Sequence, residues 1–261
     1  MRKILIVFLI CLVSFSCHAL NYSALDARAK RISSDHAQTK EQLVSKLTQG
    51  LTSDADKARV LASWIAYQID RNGYEHDKLI QASNDNKLAD YPLPNDAFKT
   101  RVGTPQEFAQ LFAELASLAG LQAVVIDGYA GRNIPSSRYS DKTLRALEPV
   151  INRMQGGNYR LQRYEASWNA VKIKDEWKLL DPYWMVQGER MFGRGQSTRS
   201  FANDLKKRTQ KTPSTSSLIR GKNIDDDYFF TKPRDFIKTH FPYDEKWQLL
   251  PIPKTWSSFT N

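Results

Sequence analysis

The apolar residues change period part-way along this chain, and no other feature narrows its fold as much. Phe108, Leu111, Phe112, Leu115 and Leu118 recur at intervals of three and four, the stripe of a helix with one buried face. Thr104-Pro105-Gln106-Glu107 opens it as a capping box, with proline at the first helical position, where its missing N–H costs nothing. Gly120 supplies the stop. Leu121 to Tyr129 is then a β-rich run centred on Val124-Val125-Ile126, and from Arg160 the spacing becomes two. Trp168, Ala170, Val171 and Ile173 make one strand, Lys174-Asp175 the turn and Trp177 to Leu180 the return, closed by Asp181-Pro182. A buried helix that feeds an antiparallel sheet implies an α+β architecture.

Upstream, Thr39-Lys40-Glu41-Gln42 has capping-box spacing, and Leu43, Val44 and Leu47 follow until Gly50. Ser53-Asp54 opens a second helix with Leu61, Trp64, Ile65 and Ile69 along one face, ending before Asn72-Gly73. These N-terminal helices are expected to pack on the sheet. Residues 75–100 read as loop with a short helical turn, and 136–157 as a broken polar stretch with one short helix over 144–154. Asp227 to Phe230 leads into a short helix over Pro233 to His240, and Trp247 to Leu250 reads as an extended segment on the body. With 41% hydrophobic and 25% charged residues the chain has a core's worth of apolar side chains, which excludes wholesale disorder. No repeat of 20 to 50 residues appears, which excludes a solenoid or propeller.

Arg2 and Lys3 precede an apolar run from Ile4 to Val13, and Ser14-Phe15-Ser16-Cys17-His18-Ala19 follows, with a small residue, Ala19, at the cut. This is the layout of a signal peptide, too short to span a bilayer, so cleavage near Ala19 and a secreted or periplasmic mature chain are expected. The expected organisation is residues 1–19 as leader and 20–261 as one domain. Within that domain, 20–52 form a helical extension, 190–222 a basic surface loop and 223–261 a tail packed on the body. Both cysteines, Cys11 and Cys17, fall in the leader. The mature chain then has no thiolate for nucleophilic or metal chemistry. His36, His76 and His240 are the histidines that stay. His76 with Glu75 and Asp77 lacks the spacing of a metal site, and Asp225-Asp226-Asp227 lacks that of a calcium loop. No metal and no cofactor are expected.

Removing the leader takes two basic residues and no acid from the 38 Lys+Arg and 28 Asp+Glu, leaving a net charge of +8. The excess is local. Between Arg190 and Lys222 nine basic residues face one acid, Asp204, in a stretch rich in Gly, Ser, Thr and Gln. The expectation is a mobile loop that docks on an anionic partner through Arg199, Lys206, Lys207, Arg208 and Lys211, or a merely solvated insertion. Nucleic acid is disfavoured, since Phe192 and Phe201 alone could stack on bases. Asp225 to Asp227 read as a solvated turn or as the partner of that loop.

Four segments in order resemble the transglutaminase-like superfamily, in particular its kyphoscoliosis-peptidase-like branch. Lys57 to Ile65 is similar to the helix that precedes the active site. Arg101 through Gly120 to Tyr129 is similar to the Gly-x-Cys helix and the strand after it. Ser167-Trp168-Asn169 with Trp177 and Asp181-Pro182-Tyr183-Trp184 is similar to the His-Ala-Trp-Asn and Asp-Pro-Thr-Trp strands. Tyr228 to Pro233, His240-Phe241-Pro242 and Trp247 to Leu250 are similar to the tail of that branch. The resemblance implies a papain-like cysteine-peptidase type of fold and a Cys-His-Asp triad. Carried over position by position, the cysteine falls on Pro105, the histidine on Ala166 and the aspartate on Asp181.

The resemblance with its two missing residues implies an exported pseudoenzyme. Its cleft would act as a protein- or peptide-binding groove lined by Thr104, Gln106, Ser167, Trp168, Asn169, Asp181 and Trp184, with the basic loop as a second contact. The alternative is a hydrolase or transamidase with a rebuilt site, using Asp181 with Thr104, Gln106 or Glu107 on a cell-envelope or peptide substrate. A third reading is a structural module docking through residues 190–222.

Overall fold

The computed structural model describes residues 22–32, 39–72, 96–131, 165–187, 198–210 and 221–260. The expected leader, His36, His76, the 136–157 stretch and Lys211 lie outside the described residues.

Among the described residues, three helices come first. α1 (Ser23–Arg31) lies within the helical extension expected over 20–52, although its few, short apolar residues give no pattern that marks its bounds. α2 (Lys40–Thr48) starts at Thr39, whose hydroxyl accepts from the Gln42 N–H, and ends at Gly50 with a left-handed φ of 74°. α3 (Asp54–Gln68) is capped by Ser53, and here one expectation fails: it is buried on every side from Ala58 to Gln68, not along one stripe. Its polar residues are satisfied by the elements around it. Arg59 forms two hydrogen bonds to Asp26 (2.9 and 2.8 Å), Ser63 donates to the same carboxylate, and Trp64 Nε1 donates to the Ile32 carbonyl. The 20–52 segment is thus joined to the body by buried polar contacts as well as by packing.

β1 (Asp70–Arg71) follows and pairs in parallel with β2 (Val102–Gly103), bracketing the short α4 (Ala97–Thr100). Arg101 takes a left-handed φ of 59° at the end of α4, its guanidinium seated over Trp64 and Phe98 at 4.6 and 4.7 Å. β2 leads straight into α5 (Pro105–Leu118), the helix predicted from its apolar stripe. Leu118, at the end of that stripe, is 44% exposed. The C-terminus closes as a Schellman motif: the Leu121 N–H reaches the Ala116 carbonyl, the Gly120 N–H reaches Ser117, and Gly120 has φ 79°.

The main sheet then builds from β3 (Ala123–Ala130), β4 (Glu165–Ile173) and β5 (Glu176–Leu180), with the hairpin turn at Lys174-Asp175 as read from the sequence. β6 (Val186–Gln187) and β7 (Asn223–Ile224) form a small ladder of their own, on either side of α6 (Thr198–Gln210). β8 (Phe229–Thr231) adds to one edge of the sheet beside β5. After α7 (Pro233–Phe236), β9 (His240–Pro242) adds to the other edge beside β3, giving the order β8-β5-β4-β3-β9. His240 therefore lies on a strand, not at the end of a helix as the sequence suggested. Trp247 also differs from expectation: it sits in a 3-10 turn, Glu245–Gln248, capped by Asp244, instead of an extended segment. α8 (Trp256–Thr260) completes the described chain.

The core is continuous between these layers: α3 and α5 on one side, the sheet on the other, with Trp64, Phe108, Phe112, Trp168, Leu179 and Leu180 at its centre. The α+β expectation, with helices packed on an antiparallel sheet, holds.

Candidate functional site

The start of α5 is the natural place to look for chemistry, since a helix N-terminus presents unpaired N–H groups. Here the capping box is complete. Glu107 N–H donates to Thr104 Oγ1 at 3.2 Å, and the Glu107 carboxylate accepts from the Thr104 N–H at 2.7 Å. Pro105 occupies the first turn and offers no N–H. Glu107 is turned back onto the start of its own helix.

Asn169 fixes where this helix end lies on the sheet. Its Nδ2 donates to the Ala109 carbonyl of α5 (2.9 Å) and to the Val124 carbonyl of β3 (3.1 Å). Two residues earlier on β4, Ser167 is the register partner of Asp127 on β3. These two form a hydrogen bond, Ser167 Oγ to Asp127 Oδ1, at 2.7 Å. Asp127 is half-buried and was missed by sequence reasoning; the cue was its odd-numbered position inside an otherwise apolar strand. Phe108 in the first turn of α5 meets Tyr183 edge to face at 5.1 Å, and Arg71 on β1 lies 5.5 Å over the same tyrosine ring.

Asp181 sits at the end of β5, fully buried. Its Oδ1 accepts from the Tyr183 and Trp184 N–H groups at 2.8 and 3.0 Å, an Asx turn that reverses the chain after the hairpin. Its Oδ2 lies 3.0 Å from His240 Nε2, and His240 Nδ1 lies 2.7 Å from Thr239 Oγ1. The carboxylate accepts, which puts a proton on Nε2. The imidazole is enclosed by rings: Phe236 stacks on it at 4.1 Å, and Trp168 and Trp184 meet it edge-on at 5.0 Å. The tail motif and the Asp-Pro motif, read separately in the sequence, are thus one buried unit.

Of the residues expected to line a groove, Thr104, Ser167, Trp168, Asn169 and Asp181 are buried, while Gln106 and Trp184 are half-buried. Burial follows from their other duties: capping, strand pairing, bridging to α5 and the Asp181–His240 contact. Ala166 is also buried, opposite Gly128 on β3. The Trp168 Nε1 has no acceptor among the described residues.

The profile of the transglutaminase-like superfamily matches residues 41–182, from α2 through Asp181. The chain belongs to this superfamily. Hillarin of Drosophila melanogaster is 28% identical over 242 residues, which cover 93% of this chain and 24% of hillarin. Kyphoscoliosis peptidase of Mus musculus is 25% identical over 240 residues, 92% of this chain and 28% of that protein. The Lim and transglutaminase domain protein ltd-1 of Caenorhabditis elegans is 28% identical over 233 residues, 89% and 26% of the two chains. This transglutaminase-like chain spans about a quarter of the length of the curated relatives it matches. A solved structure described as a TGase aligns over 69% of this chain and 36% of its own, at 13% identity and a TM-score of 0.35.

The basic segment lies beyond the matched residues of the transglutaminase-like chain and differs from the mobile loop expected of it. Its described part includes the helix α6, and two of its described basic residues are tied down. Arg208 pairs with Asp70 at 3.0 Å and donates to the Arg101 carbonyl; buried Lys222 reaches Asp70 at 3.1 Å and donates to the Ile69 carbonyl at 2.7 Å. Arg208 is thus tied to β1 and to the end of α4. Lys206 and Lys207 face outward, Lys207 at 78% exposure with Asp204 at 3.6 Å. Asp226 lies 2.7 Å from Arg59 Nη1, and Asp225 caps the 3-10 turn that carries it. Among the described residues no group of three metal ligands converges, and no helix is long and apolar enough to cross a membrane.

Proposed function

We propose that this chain is a non-catalytic, exported member of the transglutaminase-like superfamily that binds a peptide or protein partner. One observation carries the reading: the positions where the superfamily's cysteine and histidine are expected hold Pro105 and Ala166, and the sequence contains no cysteine after Cys17. Proline has no side-chain nucleophile, and alanine cannot accept a proton. The surviving Asp181 fits the reading too, because its carboxylate is engaged by His240 and two backbone N–H groups and not by a histidine at position 166. The partner surface is the half-buried rim of Gln106, Arg71, Tyr183 and Trp184 beside the start of α5, with the outward Lys206 and Lys207 of α6 as a second, electrostatic contact.

The name of the mouse relative, Kyphoscoliosis peptidase, favours a second reading, a hydrolase with a rebuilt site. Ser167 with Asp127 at 2.7 Å is the pair such a site would use, on a peptide or envelope amide. Purified protein assayed for peptide hydrolysis and for amine incorporation separates the two. No turnover above a heat-inactivated control is the expected result. Turnover that disappears in Ser167→Ala, with folding intact, would establish the rebuilt enzyme instead.

A further inference from the structure

An aromatic shelf lies on the β3–β9 edge of the sheet. Tyr129 and Phe241 are register partners on neighbouring strands, and Tyr243 meets Tyr129 edge to face at 5.1 Å. α8 sits on this shelf. Trp256 lies 4.6 Å from Tyr129 and 5.2 Å from Phe241, and Phe259, three residues on, lies 5.2 Å from Phe241 and 5.4 Å from Trp256.

The segment that carries α8 has the form of a strap. It leaves the body at Leu249, in a left-handed conformation with φ 53°, and passes through exposed Pro251-Ile252-Pro253, with Ile252 at 83% exposure. It returns under a clasp. The buried Gln248 side chain donates through Nε2 to the Lys254 carbonyl at 2.9 Å and accepts from the Lys254 N–H at 2.6 Å, so one amide imitates a rung of a β-ladder. α8 has five residues, far fewer than an isolated helix needs, so its shape is imposed by its seat. Residues three apart on a helix share a face, which is why Trp256 and Phe259 reach the shelf together. Tyr243 remains 49% exposed, so the aromatic surface continues beyond the part that α8 covers.

We propose that the Tyr129–Phe241–Tyr243 shelf is a docking surface for a short peptide turn bearing two aromatic side chains three residues apart, and that α8 is its built-in competitor, occupying it in cis. The shelf shares no residue with the candidate site, and the proposal holds whether or not the chain is catalytic. The partner is recognised by ring-on-ring geometry: offset or edge-on contacts that a Trp-x-x-Phe turn makes and an aliphatic one does not.

The test uses the full chain and its Trp256→Ala/Phe259→Ala variant, with a fluorescent synthetic peptide of the sequence Pro-Lys-Thr-Trp-Ser-Ser-Phe-Thr-Asn as probe. Emptying the shelf is expected to raise the anisotropy-measured affinity about ten-fold over the unsubstituted chain, since the competitor's occupancy is removed. The same peptide with alanine for both aromatics should bind neither protein. Equal binding to both proteins, or no binding to a natively folded double variant, overturns the proposal. A second readout does not depend on that variant. Gln248→Ala opens the clasp, and trypsin cleavage after Lys254 is expected to accelerate about ten-fold, because proteolysis follows the population of the open form. Cleavage at the unsubstituted rate, with the melting temperature unchanged, refutes a displaceable strap.

Discussion

The Nε2 of His240 lies 3.0 Å from Asp181 Oδ2, and neither side chain has any exposed surface. This contact joins the turn after β5 to the start of β9, across the width of the sheet, inside a shell of Phe236, Trp168 and Trp184. Deleting one partner of such a pair leaves the other buried and unsatisfied, a cost of about 3 to 5 kcal/mol. His240→Ala and Asp181→Ala should each lose that much unfolding free energy in urea. The double variant should lose clearly less than the sum, because each single change already breaks the shared contact. Additive losses in the double-mutant cycle would show that the two groups are not coupled.

Gly128 offers a sharper test of packing on the same face. A β-carbon built there would lie 2.2 Å from the Phe241 carbonyl oxygen, 2.5 Å from the Trp168 ring and 2.7 Å from the Pro242 α-carbon. Two of these obstacles are backbone and cannot rotate away, so β9 would have to leave β3. Gly128→Ala is expected to destabilise by about 3 kcal/mol, the upper end for overpacking. Gly120→Ala has open space around it but a φ of 79°, so it should cost only the left-handed strain, about 1 kcal/mol. Thermal unfolding of the two variants side by side checks the order, and equal losses would contradict it.

These two sites also show what could be read from the residues alone. α5 announced itself through Thr104, Pro105, Glu107 and Gly120, because capping and termination are local chemistry within a few residues. The β4–β5 hairpin did so through its period of two. The Asp181–His240 pair did not, since its members are 59 residues apart and neither has a local pattern that points to the other. α3 misled for a related reason. Arg59, Ser63 and Gln68 look like a solvent face, and it is Asp26 and the carbonyl of Lys30 on α1, with Asp226 from far along the chain, that satisfy them once buried. The basic segment misled through composition. Its Gly, Ser and Thr content reads as loop, whereas Asp70, far upstream, draws Arg208 and Lys222 inward.

That last distinction yields a prediction about the basic residues themselves. Arg208 and Lys222 share Asp70 in a largely enclosed cluster, whereas Lys206 and Lys207 stand outward on α6. Exposed ion pairs spaced three apart contribute about 0.5 kcal/mol or less. Lys206→Ala/Lys207→Ala should therefore leave the melting temperature within about a degree or two of the parent while weakening any salt-sensitive attachment to anionic vesicles. Arg208→Ala should lower the melting temperature by several degrees, about 1 to 3 kcal/mol. A reversed pattern in calorimetry would mean that α6 is not held to β1 in the way described.

Stability at alkaline pH should report on α3. Tyr67 is buried in its last turn, with the Lys30 ammonium 4.5 Å over the ring. Burial pushes its phenol up from 10.0 to about 12, with the Asp26 carboxylate reinforcing the shift and the Arg59 guanidinium opposing it. The folded chain thus holds this proton where the unfolded chain releases it. Below pH 10 both states are protonated and the contribution of Tyr67 is whole. Between pH 10 and 12 the unfolded state binds fewer protons than the folded one, so stability falls as pH rises. Tyr67→Phe has no proton to lose, and its urea midpoint should decline less steeply across that window, while the difference between the two proteins stays constant below it. Tyr22, raised mainly by burial as well, is common to both proteins and cancels in the comparison. Parallel profiles from pH 8 to pH 12 would mean that the Tyr67 phenol is not shielded by α1 and α3 as the structure has it.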